Sequence, residues 1–260
     1  MLQSMINVKL MCKKGSNACK SISENTEIVR YRGGKKHQNV DFLINYGLAG
    51  LKKDRYYRLF PSAKKIPTVN RNVGYSKFYA VNKAIRAGIK APKSVLSLPK
   101  SENPRNWIEK KVHSIGGKGI RQAKGRIRIK GKYYQKMIKD RAYELRVHAF
   151  LWMGNWAVHK RMGEKNTIAW NFSNGGHFQT VHNPNRSKIF REAQEVSKKV
   201  LNLFNMSFGA IDFIVSNNGS LYFIEVNSAP GFSGLSDSIY YEAFTAFTRL
   251  SKRKASSYAV

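Results

Sequence analysis

One stretch near the end of the chain constrains the fold more than any other: Gly209-Ala-Ile-Asp-Phe-Ile-Val-Ser-Asn-Asn-Gly-Ser-Leu-Tyr-Phe-Ile-Glu-Val-Asn-Ser-Ala-Pro-Gly231. Two apolar runs, Ala210–Val215 and Leu221–Val226, flank a turn that contains Asn218-Gly219. Asn-Gly between apolar runs is a strong hairpin signal, because both central residues of a type I′ turn need positive φ. With those two residues as the loop, Ser220 faces Asn217 and Tyr222 faces Val215. Asp212 then lands opposite Glu225, with β-carbons about 4.5–5.5 Å apart. Asn227, two residues beyond Glu225, shares its face. The other face reads Ile211, Phe213 and Val215 against Tyr222, Ile224 and Val226, a core pattern.

Two carboxylates facing each other across a hairpin repel, so the arrangement calls for a compensating charge. A divalent cation would supply it. Asp, Glu and Asn offer only oxygen ligands, which suits Mg²⁺ or Mn²⁺. The competing reading is a solvated polar face carrying two unrelated acids, since a one-residue register slip would separate the pair.

The chain has 260 residues, enough for one large domain or two small lobes with a real core. Its 47 Lys and Arg against 15 Asp and Glu give a net charge of +32, which implies a polyanionic partner: nucleic acid, an acidic protein or nucleotide phosphates. The cysteines, Cys12 and Cys19, are too few and too poorly spaced for a zinc site or a disulfide framework. No apolar run approaches the roughly 20 residues of a membrane span, and the start has no signal-peptide core. The expectation is a soluble, cytoplasmic protein with no membrane partner.

Residues 1–24 show little periodicity and read as loosely ordered. Thr26–Tyr31 and Val40–Asn45 read as short strands, and Arg32-Gly-Gly-Lys-Lys36 as a loop. The segment up to Asn72 is too short for a full βαβαβ domain, so any N-terminal lobe is reduced. Ser76 is the expected N-cap of a helix running to Ala87, with Phe78, Val81 and Ile85 inward and Gly88 closing it. Trp107–Val112, Arg126–Lys130 and Tyr133–Ile138 read as strands, and strict alternation puts Arg126, Arg128 and Lys130 on one face. Tyr143–Leu151 and Trp156–Arg161 form a longer pair joined at Gly154-Asn155. Ile189, Ala193, Val196, Val200 and Leu203 mark an amphipathic helix, and Ser236 begins a last one with Ile239, Ala243, Phe247 and Leu250 inward. From Ser251 the tail is basic and expected to fray.

Several clusters could carry chemistry. The amides of Gly116-Gly117-Lys118-Gly119 could cradle phosphate, with Lys110 or Lys111 adding charge from the preceding strand. Glu144 and Arg146 share a strand face, and Lys160 and Arg161 end the next strand. Cations aimed at one spot are expected where phosphoryl or acyl-phosphate charge develops. Read singly, these are a flexible hairpin loop and a surface ion pair. His113, His148 and His159 show no metal-ligand spacing and read as satisfied strand residues.

The order of these pieces resembles the ATP-grasp superfamily, and most closely its RimK-like ligases, which add amino acids to a carboxylate. The resemblance runs from about Ser76 to Gly231. Ile108-Glu-Lys110 followed by Gly117-Lys-Gly119-Ile120 is similar to the family's lysine strand and phosphate-covering loop. Gln135-Lys-Met-Ile138 falls where the adenine hinge lies, and Glu144-Leu-Arg146 matches an acidic-x-Arg signature. Lys160-Arg161 matches the basic end of the next strand, and Asn171 stands five residues before Gly176, as the family's Asn stands before its Gly-Gly. Asp212, then Glu225-Val-Asn227 with Ser228-Ala-Pro-Gly231, match the metal-binding acid and the Glu-Val-Asn-x-x-Pro-Gly signature. The chain departs from the pattern at Gln135 (often Glu), at Glu144 (usually Asp) and at Ala169 (often Arg).

The resemblance implies an α+β fold in which two lobes, about 91–140 and 141–250, sandwich ATP within an ATP-grasp domain of residues 76–260. Residues 1–75 form a reduced N-terminal region. It implies Asp212, Glu225 and Asn227 as ligands of Mg²⁺ or Mn²⁺. Nucleotide contacts fall to Lys110, Lys111, Gly116, Gly117, Gly119, Gln135, Lys136, Met137, Ile138, Glu144 and Asn171. Arg146, Lys160 and Arg161 are the catalytic cations. The implied reaction is ATP-dependent amide formation through an acylphosphate, on an acidic or polyanionic acceptor with an amine donor. The charge alone also fits a second reading, a nucleic-acid-binding protein that keeps this frame without ligating anything and uses Arg126, Arg128 and Lys130 as its contact face.

Overall fold

The computed structural model of the chain describes residues 5–32, 39–48, 61–113, 119–154, 156–163, 167–168, 170, 176–231 and 236–259. Three sheets organise them. An N-terminal parallel sheet joins β1 (Val8–Cys12), β2 (Phe42–Tyr46) and β3 (Thr68–Val69). An antiparallel four-stranded sheet has the order β4-β7-β5-β6, formed by β4 (Ser94–Val95), β5 (Trp107–Lys111), β6 (Arg121–Gln122) and β7 (Lys132–Lys136). An antiparallel five-stranded sheet has the order β10-β9-β8-β11-β12, from β8 (Arg141–Phe150), β9 (Ala157–Met162), β10 (His177–Thr180), β11 (Phe208–Ser216) and β12 (Leu221–Asn227). The helices are α1 (Asn17–Asn25), α2 (Lys77–Arg86), α3 (Lys188–Leu203), α4 (Asp237–Thr248) and α5 (Lys252–Ser256). This is the expected α+β arrangement.

The N-terminal region is more ordered than its sequence suggests. Val8, Leu10 and Cys12 are buried, and Ser16 caps α1 by accepting from the Cys19 amide. The turn between β1 and α1 folds the first helical turn back over the strand end, which brings Cys12 and Cys19 together as a disulfide. Seven residues of separation therefore suffice, against the expectation from spacing alone. Residues 26–31 form only an isolated parallel bridge, Leu10 to Arg30, rather than a strand. The basic tail is also ordered. Ser251 caps α5, Ala255 is buried, and Ala259 bridges to Val69.

The five-stranded sheet separates two cores. Leu145, Val147, Ile211, Phe213 and Phe223 pack on one side with Val81 and Ala84 of α2 and with Ala193 and Val200 of α3. On the other side Phe150 and Phe208 join Tyr240, Phe244 and Phe247 of α4 and the β1–β2 strands. Helix α2 begins as expected at Ser76, whose Oγ accepts from the Tyr79 amide. Its buried face, however, is Ala80, Val81 and Ala84, and Ile85 is exposed.

The key hairpin reaches the expected pairing by a different route. Among its loop residues only Gly219 has positive φ, the Gly219 amide donates to the Ser216 carbonyl, and Ser216 pairs around the turn with Ser220. This three-residue loop sets Val215 opposite Leu221 and Ile214 opposite Tyr222, one step off the type I′ expectation. A bulge between Phe223 and Glu225 then absorbs Ile224 and restores Asp212 opposite Glu225. Leu221 and Phe223 face the core in place of the expected Tyr222 and Ile224.

Arg126–Lys130 is not a strand. It is an irregular segment in which Ile127 is 76% exposed and Arg126 donates to the carbonyls of Pro99 and Glu102. Alternation there satisfies a loop rather than a sheet face, and Arg128 and Lys130 stay exposed.

The N-terminal sheet abuts the end of the hairpin. Tyr46, the last residue of β2, donates its hydroxyl to the Pro230 carbonyl. Gly47 follows with φ +81°, and a β-carbon there would stand 2.4 Å from that of Ala229. Gly47→Ala should therefore lower stability by about 1–3 kcal/mol through backbone strain plus this clash. Urea unfolding checks it, as a lower midpoint at unchanged slope.

Candidate functional site

One face of the five-stranded sheet changes character along its length. Phe150 and Phe208 are core, but four residues away, at Arg146 on β8 and Asp212 on β11, the same face is polar. Arg146 sits opposite Asp212 in register and holds it bidentately, Nε to Oδ1 at 2.7 Å and Nη2 to Oδ2 at 2.8 Å. Arg161 of β9 reaches the same carboxylate at 3.5 Å and Glu144 at 3.1 Å, and Arg141 donates to Glu144 at 2.9 Å. Asp212 is 7% exposed. Burial works to raise its carboxyl, but Arg146 and then Arg161 win and hold it well below the usual carboxylate range. Glu144 ends on the other side of that balance: burial lifts it above its ordinary value against the pull of Arg161 and Arg141.

Glu225, across the hairpin from Asp212, forms an ion pair with Lys77 at 2.6 Å and accepts from Asn227 Nδ2 at 3.1 Å. The repulsion between the two carboxylates is thus already offset by Arg146 on one and Lys77 on the other. Sequence reasoning missed Lys77. It stands in the first turn of α2 with no motif around it, and only the α2–β12 packing reveals it.

The four-stranded sheet supplies the facing wall. On β5 and β7 the side chains of Ile108, Lys110, Tyr133 and Gln135 share one face, and Glu109, Lys111, Tyr134 and Lys136 share the other. Lys110 is 5% exposed and donates to Gln135 Oε1 at 3.0 Å. Burial lowers its ammonium to about 8, with Lys77 acting in the same direction and Glu225, Glu144 and Asp212 opposing. The start of α2 joins the two sheets there: the Lys77 amide donates to the Val112 carbonyl just after β5, and the Lys77 ammonium reaches Glu225 of β12. Burial, with Glu225 adding, also raises Tyr133, whose hydroxyl is buried without a hydrogen-bond partner. Arg161 Nε is orphaned likewise. Such groups mark a place where a polar ligand would be met.

The structure brings together Lys110, Gln135, Glu144, Arg146, Arg161, Asp212, Glu225 and Asn227. It does not bring in Lys160, whose strand position opposite Leu145 sends it to the other face, over the Tyr143 ring at 4.5 Å. Lys111 and Lys136 likewise point outward, Lys136 over Trp107. At the end of β7 the amides of Lys136 and Met137 donate to the carbonyls of Lys93 and Asn106, which fixes the segment leading to Ile138. Gly119 lies against the Lys111 side chain. Gly116, Gly117, Ala169 and Asn171 fall outside the described residues. Behind Arg146, burial keeps His148 far below the ordinary histidine value and lowers His159 as well. His148 is within hydrogen-bond distance of the Tyr240 hydroxyl at 3.0 Å.

The residues present fit a hard divalent cation by donor chemistry, since Asp212, Glu225 and Asn227 bring oxygens from adjacent paired strands. Among the described residues no three His, Cys, Asp or Glu side chains form a ready-made cage. A bound Mg²⁺ would therefore share its coordination with phosphate oxygens and water, its usual habit.

The family model of the ATP-grasp domain matches residues 75–231, well over half the chain. No curated protein matches by sequence. Solved structures match over nearly the whole chain at low identity. The D-alanine–D-alanine ligase of Bacillus anthracis complexed with ATP has TM-score 0.62 and 12% identity, covering 98% of this chain and 99% of that one. The VanG D-Ala:D-Ser ligase of Enterococcus faecalis has TM-score 0.62 and 13% identity, over 98% and 100%. The ligase PsnB, complexed with a phosphomimetic variant of a minimal precursor, Mg and ADP, has TM-score 0.58 and 11% identity, over 94% and 99%. At these identities the likeness is one of fold. No helix among the described residues is long and apolar enough to cross a membrane.

Proposed function

The chain belongs to the ATP-grasp domain family, and from that premise we propose that it is an ATP-dependent ligase that joins a carboxylate to an amine. The observation that carries this reading is the meeting of two sheets at the start of α2. The Lys77 amide donates to the Val112 carbonyl just after β5, Phe78 packs on Tyr133 of β7, and the Lys77 ammonium pairs with Glu225 of β12. These contacts gather buried Lys110 on one sheet with Glu225, Asp212 and Glu144 on the other. A binder of polyanions has no use for paired acids at the centre of its site. The solved complexes of similar fold with ATP, or with Mg, ADP and a precursor, support the same reading.

Lys110 and Lys77 would meet the nucleotide phosphates, Lys77 exchanging its Glu225 partner for phosphate oxygen. Asp212, Glu225 and Asn227 would hold Mg²⁺, which neutralises charge on the terminal phosphates. The backbone after Gln135, fixed by Lys93 and Asn106, would place Met137 and Ile138 against the adenine. In the reaction, a substrate carboxylate oxygen attacks the γ-phosphorus and the bond to the β-phosphate oxygen breaks, giving an acylphosphate and ADP. An amine nitrogen then attacks the acyl carbon, loses its proton and expels phosphate, leaving an amide. Arg146 and Arg161 stand where the phosphoryl and acyl charge would develop, and a preorganised cation is worth most in such a buried site. Arg146 keeps its orientation through Asp212. No protein nucleophile is needed.

The acceptor is read as an acidic polypeptide, because the net charge of +32 far exceeds what nucleotide phosphates require. The order of motifs that resembles RimK-like ligases supports an amino acid as amine donor. Incubation with Mg²⁺, ATP, a Glu-bearing peptide and a panel of amino acids tests the proposal. ADP and phosphate should appear only when acceptor and amine are both present. ATP hydrolysis indifferent to both, or no Mg²⁺-ATP binding by titration, would refute it. Lys160, on the far face, is a control: Lys160→Ala should keep ADP release within about threefold of the parent, the usual range for a surface change. A greater loss would return Lys160 to the site.

A further inference from the structure

Away from the cleft, the N-terminal region carries a cavity of about 540 Å³ between α1 and the extended segment Val29–Arg32. Lys13 and Lys20 line one side and Arg30 and Arg32 the other; among the described lining residues the one acid, Glu24, stands 3.7 Å from Lys20. The groove is thus strongly cationic. Two lining groups are built in without partners, Ser23 Oγ and Arg30 Nε, both buried atoms with no acceptor or donor in reach. The Arg30 guanidinium is nonetheless held in place, since its Nη2 donates to the Cys12 carbonyl at 3.1 Å.

Its position matters as much as its charge. Lys13 directly follows β1, whose last residue, Cys12, pairs with Tyr46 of β2. Tyr46 in turn bonds Pro230, three residues beyond Asn227. The Val29–Arg32 segment runs along the far edge of β1, where Leu10 bridges Arg30. The groove therefore stands about two strand spacings, roughly 10 Å, outside the strand that abuts the candidate site, a span that an extended peptide of a few residues covers. We propose that this groove docks an acidic stretch of the acceptor polypeptide and so delivers its reacting carboxylate to the cleft. The inference rests on the ligase reading above for its acceptor chemistry. The cavity lining favours peptide over nucleic acid: it offers Val29, the Cys19 side chain and small polar groups, with no aromatic ring among its described residues on which a base could stack.

Fluorescence anisotropy of a labelled Glu/Ser peptide tests the proposal, with its Gln/Ser counterpart as control. The parent should bind the Glu peptide and bind the Gln peptide at least about tenfold more weakly. Lys13→Ser/Lys20→Ser/Arg30→Ser should weaken the Glu peptide about tenfold, while Arg128→Ser/Lys130→Ser, outside the groove, changes it less than about twofold. Equal loss in both variants would mean diffuse charge attraction and overturn the site. Unchanged affinity in the groove variant would overturn it too. So would tighter binding of a single-stranded oligonucleotide that the groove variant loses in parallel. Should the triple variant unfold, Lys13→Ser/Lys20→Ser decides alone, because both side chains are exposed and it should still weaken the Glu peptide at least about threefold. Mg²⁺-ATP binding, measured on the same variants, should not move. If ATP binds and the peptide does not, the docking site fails while the nucleotide reading stands.

Discussion

Asp212→Asn should reduce ADP release by about 10²–10³-fold, the cost of losing one preorganised charge at a phosphoryl-transfer site. The same change should destabilise the protein by about 3 kcal/mol, because it leaves the half-buried Arg146 and the buried Arg161 guanidinium short of their counter-charge. Glu225→Gln separates the two effects. Its ion pair is with Lys77, whereas Asp212 holds both Arg146 and Arg161, so the stability cost should be about 1–2 kcal/mol, below that of Asp212→Asn, while turnover falls comparably. Steady-state ADP release and urea unfolding on both variants provide the comparison. The acid limb of stability gives a third check. A carboxyl held below its unfolded value contributes stability above about pH 4 and gives it up as pH falls through the lower folded value. Asp212→Asn should flatten that limb. Turnover surviving Asp212→Asn within threefold would remove the acid from the reaction.

The hairpin shows how much of this was readable and why the rest was not. The apolar runs and the three oxygen-bearing residues were legible, because strand period and side-chain chemistry are local. The register was reached by cancellation. The loop is one step off the Asn-Gly expectation, and the bulge at Ile224 takes the step back. A bulge has no reliable local signal, since it answers to packing against neighbouring strands. Lys160 shows the same limit. The Lys-Arg pair was visible, but adjacent strand residues point to opposite faces, so only one of the two could join Arg146. Arg126–Lys130 alternates without being a strand, because a two-residue period is also compatible with an exposed loop tied down at Arg126. Lys77 and the Cys12–Cys19 contact depend on how an element folds back on another, and spacing carries no trace of that.

Lys110 unites the electrostatics of the cleft, and it supplies the second large expectation. A buried lysine lowered to about 8 is only partly charged in the free protein near that pH. An incoming polyphosphate favours the charged form, so ATP binding should take up a proton, and ATP affinity should fall up to about tenfold per pH unit as the pH rises above about 8. Lys110→Arg, charged throughout, should flatten that dependence, and Lys110→Met should abolish it while cutting turnover about 10²–10³-fold. Stability moves the other way. A lysine whose folded value lies below its unfolded one is a burden below about pH 8, where both states are protonated, and the burden lifts as pH rises towards the ordinary lysine range. Lys110→Met should therefore stabilise the ligand-free protein at neutral pH by on the order of 3 kcal/mol, less what the lost Gln135 bond contributed. Gain of stability together with loss of activity is what a functional site under strain predicts. A variant that loses both would make Lys110 a structural tie to Gln135, and one that loses neither would place the nucleotide elsewhere.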